Sequence, residues 1–186
     1  MRIISGEFRS RKLRFPKSKK TRPMTDRAKE TIFNILGETV RDARVLDLFA
    51  GSGSLGLEAL SRGARHATFV EEGAWAEKSL SDNVKTLGLT RQSTFLRQDV
   101  FKALRRFGNK GENFELIFLD PPYNQGVVKK LLNDLSRSAI LTAQTRIVLH
   151  RSRQEKLPDS LEGLALIREK QIGQACLSFL SKSVKA

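Results

Sequence analysis

Short apolar segments alternate with amphipathic helical patterns from Arg44 onward, and this alternation constrains the fold more than any other feature of the chain. Consecutive strands joined by helices must run parallel, because a parallel connection needs a long crossover that a helix supplies. The last two apolar segments flank Gly173 and predict an antiparallel hairpin instead. The sequence therefore predicts an α/β fold with a mostly parallel seven-stranded sheet and a C-terminal antiparallel hairpin. The predicted strands are 45–49, 67–70, 94–96, 114–119, 145–149, 164–170 and 175–180, and the helices between them are 55–62, 76–87, 100–107 and 127–135.

Residues 1–22 form a basic segment that a helix joins to this body. The helix is predicted to begin after the N-cap Thr25 and to close near Gly37. Residues 1–22 contain nine Lys and Arg residues and a single acidic residue, Glu7, so this segment supplies +8 of the chain's net charge of +14. Interleaved apolar residues favour a short β-hairpin arm, and a solvated charged terminus is the alternative. We expect an arm at 1–22, a body at 23–186, and a polyanionic partner such as nucleic acid. The candidate contacts in the arm are Arg2, Arg9, Arg11, Lys12, Arg14 and Arg22.

The single cysteine and the lack of long apolar runs point to the cytoplasm. Cys176 cannot close an intramolecular disulfide and leaves no cysteine cluster for zinc. The basic N-terminus lacks the apolar stretch of a signal peptide, and the longest charge-free run, 171–181, is too short to span a membrane. We expect a cytoplasmic protein with no membrane association and no metal.

A glycine-rich loop follows the first predicted strand and opens the next helix. Gly51, Gly53 and Gly56 have the G-x-G-x-x-G spacing that lets the backbone approach a ligand and lets helix and strand pack closely. Glu71 follows twenty residues after Gly51, at the end of the second strand, where a carboxylate can accept both ribose hydroxyls. Its neighbour Glu72 is the alternative ribose ligand. The pattern predicts an adenosine-type cofactor and leaves NAD and S-adenosylmethionine open.

The segment Asp120-Pro121-Pro122-Tyr123 distinguishes these two cofactors. It follows the fourth predicted strand, next to the glycine loop, and so faces the same crevice. Two successive prolines hold the backbone extended and leave their carbonyls without local amide partners. A carboxylate, free carbonyls and an aromatic ring suit a planar base with an exocyclic amine. An ordinary Pro-Pro turn is the alternative interpretation.

Asp120–Tyr123 resembles the [DNS]-P-P-[YF] motif of amino-group methyltransferases, and the glycine loop resembles their cofactor motif. The chain is similar over nearly its whole length to the bacterial 16S ribosomal RNA guanine-N2 methyltransferase family. The segments that carry this similarity are 1–6, 11–13, 21–27, 47–53 and 119–123. The resemblance implies a Rossmann-like class I methyltransferase, S-adenosylmethionine as cofactor, and a monomer acting on 16S rRNA, naked or within an assembled or assembling 30S particle. It further implies that the cofactor is held by Asp47, Ala50, Gly51, Gly53, Glu71, Asp99 and Val100, and that the target amine is held by Asp120, Pro121, Pro122 and Tyr123. The basic arm would contact the phosphates without reading the sequence.

The sequence leaves details of the site and the identity of the substrate open. The chain departs from the family pattern at Met24, where a second Thr is common, and at Gly73-Ala74-Trp75, which replaces a more acidic helix start. DNA adenine or a protein amide could use the same pocket, and a noncatalytic nucleic-acid-binding protein could keep the fold. We predict that His66 and His150 are structural or surface residues, that Trp75 packs within its helix, and that Cys176 is buried.

Overall fold

The computed structural model describes residues 1–15, 24–122 and 126–183 and contains a seven-stranded sheet with the order β3-β2-β1-β4-β5-β7-β6. The strands are β1 (Arg44–Leu48), β2 (His66–Glu71), β3 (Ser93–Arg97), β4 (Leu116–Leu119), β5 (Arg146–Ser152), β6 (Leu164–Ile172) and β7 (Ala175–Lys182). The helices are α1 (Asp26–Leu36), α2 (Ser54–Ser61), α3 (Ala74–Thr86), α4 (Val100–Asn109) and α5 (Val127–Ser136), with short 3-10 turns at Gly37–Val40 and Thr90–Gln92. The predicted α/β class and the C-terminal hairpin are confirmed.

The first five strands are parallel, and helices cover both faces of the sheet. Neighbouring residues of β1 illustrate this, because Val45 belongs to the apolar cluster that includes residues of α1, α2 and α3, whereas Leu46 belongs to the cluster that includes residues of α4 and α5. Successive side chains of a strand point to opposite faces, so a strand with apolar side chains on both faces needs a cover on each side. The strand order reverses between β1 and β4, and this places the carboxyl ends of both strands beside one crevice.

The strand β5 is longer than the sequence predicted. We expected it to end at Leu149, but it continues to Ser152, because β7 pairs with it antiparallel along its whole length. The partner strand supplies hydrogen bonds that the local sequence of β5 does not reveal. This extension carries His150 past the end of β4 and places it beside Asp120.

The helix α1 confirms the predicted capping signals. The Thr25 Oγ1 accepts a hydrogen bond from the Ala28 N–H at 3.1 Å, and Gly37 ends the helix. No helix in residues 1–15, 24–122 and 126–183 has both the length and the apolar character needed to cross a membrane.

The described part of the basic arm, residues 1–15, folds back on itself and docks on the body. Arg2 and Lys12 form an antiparallel bridge, and the Ile3 N–H donates to the Arg11 carbonyl at 3.0 Å. The side chains of Ile3 and Leu13 are buried in the same core as α1 and α2. The arm is therefore positioned by the core, while residues 16–23, which contain the predicted boundary at 22 and Arg22, lie outside the described residues.

A buried carboxylate on α2 holds this arm in place. Glu58, which is fully buried, accepts the backbone N–H groups of Ile4 at 2.8 Å and Ser5 at 3.0 Å. Lys29 of α1 lies 3.1 Å from the same carboxylate and also donates to the Arg2 carbonyl, and Arg62 lies 2.9 Å from it. Burial lowers the pKa of Lys29, and the charge of Glu58 opposes that shift. These contacts fix the arm relative to α1 and α2.

Candidate active site

A cavity of about 610 Å³ opens at the carboxyl ends of β1, β2 and β4. This volume lies in the range of small-molecule sites, which is roughly 300–1,000 Å³. Its described lining includes nearly every residue that the sequence analysis assigned to cofactor and target amine. These residues are Asp47, Ala50, Gly51, Glu71, Asp99, Val100, Asp120, Pro121 and Pro122. Gly53 does not line the cavity, and Tyr123 lies outside the described residues.

The glycine loop after β1 depends on two positions without a side chain. Gly53 has a φ of 80° at the N-cap of α2, a conformation that residues with a Cβ rarely adopt. A Cβ on Gly56 would lie 2.3 Å from the Phe69 ring of β2, so Gly56 lets α2 pack closely against the sheet. The predicted packing role of Gly56 is confirmed, and Gly53 shapes the loop from beneath.

The residue before this loop is itself strained. Phe49 has a φ of 63°, and an aromatic residue in this region costs energy that the surrounding structure must offset. The Ala50 N–H donates to the Val70 carbonyl at 3.1 Å, and the Gly53 N–H donates to the Ala50 carbonyl at 2.7 Å, so the loop is held on both sides. Backbone strain at a cavity wall is typical of functional sites.

Glu71 connects the glycine loop to the start of α3. Its Oε2 accepts the Gly51 N–H at 3.2 Å, and its Oε1 accepts the Gly73 N–H at 2.8 Å. Each carboxylate oxygen has a further lone pair, so these bonds still allow it to accept hydroxyls of a ligand. Glu72 also lines the cavity and is exposed, so both predicted ribose ligands lie at the site.

Asp47 is a buried carboxylate below the loop. Its side chain is 1% exposed, and its Oδ2 accepts the Gly56 N–H at 2.9 Å. Burial raises the pKa of Asp47 from 3.8 to about 7, the Gly56 hydrogen bond opposes this rise, and the charges of Asp120 and Glu71 add to it. Asp47 therefore supports the loop and titrates near neutral pH.

The raised pKa of Asp47 predicts a pH-dependent stability. The folded chain keeps this proton up to about pH 7, whereas the unfolded chain loses it near pH 3.8, so the contribution of Asp47 to stability falls as the pH rises between these values. The amide oxygen of Asp47→Asn can still accept a hydrogen bond from Gly56. We expect the free energy of unfolding of this variant, relative to that of the wild type, to rise by on the order of 1–4 kcal/mol from pH 5 to pH 8. Urea unfolding at both pH values measures this difference. Asp159→Asn, at an exposed position, controls for the lost charge, and an identical difference at both pH values would contradict the assignment.

Asp120 lies directly after β4, and its carboxylate faces the cavity. Its side chain is 28% exposed, and its Oδ1 lies 2.7 Å from the Nδ1 of His150. Within the described residues, no hydrogen bond reaches the carbonyls of Pro121 and Pro122. The predicted set of acceptors therefore meets at one place, at the end of the strand beside the glycine loop.

The sequence analysis missed His150 as a part of this site. The residue has no motif around it, and the predicted β5 stopped one residue before it. Leu119 of β4 pairs in register with Leu149 of β5. The residues that follow them, Asp120 and His150, therefore lie at the same level of the sheet. A signal was therefore present in the parallel register, but pairing has to be known before it can be used.

The prediction for Trp75 was wrong. We expected it to pack within α3, but its side chain is 39% exposed and lines the cavity. A Cβ placed on Gly51 would lie 3.7 Å from the Trp75 ring, so the indole stands beside the glycine loop. Cys176 is buried in β7 as predicted. Since Trp75 is the sole tryptophan of the chain, its fluorescence reports directly on this cavity.

The basic arm reaches the mouth of the cavity. Met1 and Phe15, at the two ends of its described part, both line the cavity. Arg2 lies 3.0 Å from Asp26, and Arg14 lies 2.7 Å from Asp82. The other basic candidates, Arg9, Arg11 and Lys12, are exposed and form no ion pair with any described residue.

The charge of the cavity is opposite to that of the chain. Five carboxylates line its described part, and no Lys or Arg does so. These carboxylates belong to Asp47, Glu71, Glu72, Asp99 and Asp120. Asp99 also caps α4, because its Oδ1 accepts the Lys102 N–H at 2.9 Å. No group of three or more described His, Cys, Asp or Glu residues could hold a metal ion. An acidic pocket beside a basic arm suits a cationic ligand inside and a polyanion outside.

The strand order and the position of the cavity define the class I methyltransferase fold. The chain belongs to the family described as conserved hypothetical protein 95, whose model matches residues 1–181. The ribosomal RNA small subunit methyltransferase D of Escherichia coli strain K12 is 38% identical, over 94% of this chain and 86% of the relative. The Bacillus subtilis protein YlbH, named as a candidate rRNA methyltransferase, is 38% identical over 98% of this chain and 99% of the relative. The solved structure of E. coli yhhF, a candidate methyltransferase, superposes with a TM-score of 0.87 at 34% identity and covers 100% of this chain and 99% of that one.

Proposed function

We propose that the protein transfers the methyl group of S-adenosylmethionine to the exocyclic N2 amine of a guanine in 16S rRNA. The observation that carries this proposal is the meeting of the glycine loop and Asp120-Pro121-Pro122 at one cavity. The first feature suits the adenosine of a cofactor, and the second suits an amine. Membership of a family with relatives named as small-subunit rRNA methyltransferases supports the choice of substrate.

The residues around the cavity fit S-adenosylmethionine. This cofactor carries a positive sulfonium centre, and the described lining offers five carboxylates and no basic side chain. In the proposed arrangement, Ala50 and Gly51 hold the methionine part, with Gly53 and Asp47 supporting the loop from below. Glu71 or Glu72 takes the ribose, and Asp99 with the Val100 backbone takes the adenine. Trp75 closes the wall beside the loop.

Asp120 acts on the amine. An exocyclic guanine nitrogen is a weak nucleophile, because its lone pair is delocalised into the ring. When bound, the cofactor supplies an electrophilic methyl group. Asp120 and a carbonyl of Pro121 or Pro122 accept hydrogen bonds from the two N–H groups, which favours a pyramidal nitrogen and stabilises the positive charge that develops on it until it releases one proton. Tyr123 would stack on the base after it leaves its own stack.

The arm and the opening of the cavity suit a polymeric substrate such as RNA. Arg9, Arg11 and Lys12 are free to contact phosphates, which position RNA without reading its sequence. The arm docks rigidly through Ile3, Leu13 and the Glu58 contacts, so its charges stay at a fixed place relative to the cavity. We expect the protein to act as a monomer on RNA within an assembled or assembling 30S particle.

The test is identification of the methylated product. Small subunits are purified from a strain that lacks the enzyme and incubated with the protein and labelled S-adenosylmethionine. Nuclease digestion and mass spectrometry should then give N2-methylguanosine from 16S rRNA. Naked 16S rRNA and duplex DNA serve as parallel substrates.

Each labelling outcome has a defined consequence for the proposal. Labelling of particles or naked 16S rRNA at guanine N2 supports the proposal and distinguishes the two physical forms of the substrate. N6-methyladenine in DNA with unlabelled RNA would keep the amine chemistry and reject the substrate. If the protein binds the cofactor but methylates neither RNA nor DNA, catalysis on nucleic acid is rejected.

A further inference from the structure

His150 is held rigidly behind Asp120, where the proposed amine chemistry takes place. It belongs to β5, one residue past the last pair with β4, and its backbone is paired with Leu177 of β7. Its side chain is 8% exposed, against 28% for Asp120. Asp120 lines the cavity and His150 does not, and the described contact that links His150 to the site is the one with the Asp120 carboxylate.

The contact between these two side chains is short and specific. The distance of 2.7 Å between the His150 Nδ1 and the Asp120 Oδ1 is that of a charge-assisted hydrogen bond. Among the described residues, His150 is the only hydrogen-bond partner of this carboxylate. A carboxylate turns freely about its last torsion unless such a bond holds it.

We propose that His150 is a positioning residue for amine methylation, which donates its Nδ1 proton to Oδ1 of Asp120 and so aims Oδ2 at the substrate amine. This inference rests on the proposed function. A donor at Oδ1 keeps the carboxylate an acceptor, as the N–H group of the amine requires. Preorganising the acceptor before the substrate arrives lowers the cost of reaching the transition state. His150 thus acts on the rate rather than on cofactor binding.

The kinetic test compares two replacements of His150. His150→Asn keeps an N–H donor close to the position of Nδ1, whereas His150→Leu keeps the volume and removes the donor. We expect His150→Leu to lower kcat about 10-fold or more, since small misplacements of a catalytic group have effects of this size. His150→Asn should stay within about threefold of the wild type, and KM for the cofactor should not change by more than about twofold in either variant. Equal losses in Asn and Leu would overturn the inference, because packing alone would then explain them.

A double-mutant cycle tests whether the effect passes through Asp120. In an Asp120→Asn background, His150→Leu should cause no further loss of kcat, because the group that it positions is already absent. Additive losses would show that His150 acts independently and would overturn the proposed role.

A spectroscopic readout needs no RNA and separates this inference from the proposed function. The chain has only two histidines, so the ring nitrogens of His150 are assigned by comparison with His66. Nitrogen-15 NMR should show a protonated Nδ1 on His150, and Asp120→Asn should change its signal while His66 stays constant. An unprotonated Nδ1 would overturn the inference and leave the proposed function in place. Absence of methyl transfer by the wild type would instead overturn the proposed function, and a protonated Nδ1 would then still show the hydrogen bond to Asp120.

Discussion

Asp120→Asn is expected to lower methyl transfer by about 100-fold or more while S-adenosylmethionine binds with its wild-type affinity. The substitution keeps the shape of the side chain and removes its charge. Its amide group also presents a donor toward the N–H groups of the amine. The lost interaction is strongest when the nitrogen becomes tetrahedral and positive, so the rate suffers more than binding.

Single-turnover methylation of 30S particles measures the rate, and quenching of the Trp75 fluorescence measures cofactor binding independently. Asp159→Asn removes the same charge from an exposed position away from the cavity and should leave both values unchanged. Full activity of Asp120→Asn would refute the assigned role. A parallel loss of cofactor affinity would place Asp120 in the cofactor site instead.

Replacing Arg9, Arg11 and Lys12 by Gln should weaken RNA binding by about 100-fold at 0.1 M salt, because three phosphate contacts and their released counterions are lost. The plot of log affinity against log salt concentration should become flatter by about 2–3. These residues are chosen because Arg2 and Arg14 already pair with Asp26 and Asp82. Filter binding over a salt series measures both effects.

A matched variant separates local contacts from net charge. Arg65, Arg105 and Arg106 are exposed and do not line the cavity, and Arg106 borders the same surface as Arg44 and His66 at the amino ends of β1 and β2. Their replacement by Gln removes the same total charge and should leave the salt slope unchanged. If both triple variants lose affinity equally, the arm contributes only bulk charge. In the arm variant, the Trp75 fluorescence should still report normal cofactor binding.

The elements that the sequence predicted best are those with local causes. The Thr25 cap and Gly37 delimit α1, as expected from their hydrogen-bonding and conformational preferences. Gly56 was assigned to helix–strand packing, and the Phe69 ring fills the space that its missing side chain leaves. In these cases, the residue type and the spacing within one βαβ unit carry the whole argument.

The site was predicted to the extent that it follows strand ends. Glu71, Asp99 and Asp120 each come after or at the end of a predicted strand, and parallel strands bring these ends to one edge. Trp75 was misplaced, because a large apolar residue near a helix start is usually buried. Its exposure follows from the position of α3 beside the glycine loop, which no local pattern reports.

The α/β class, the glycine loop, the acidic strand ends and the basic arm can all be predicted from the sequence, because each depends on residues that are close in the chain or on a fixed helical or strand period. The contact between His150 and Asp120 cannot be predicted in this way, since it depends on the register of β4 with β5 and on β7 extending β5 beyond Leu149. The same holds for the docking of the arm on Glu58, which is 53 residues from Ser5 in the chain. Both contacts join distant segments through burial and strand pairing, and these depend on how the whole sheet assembles.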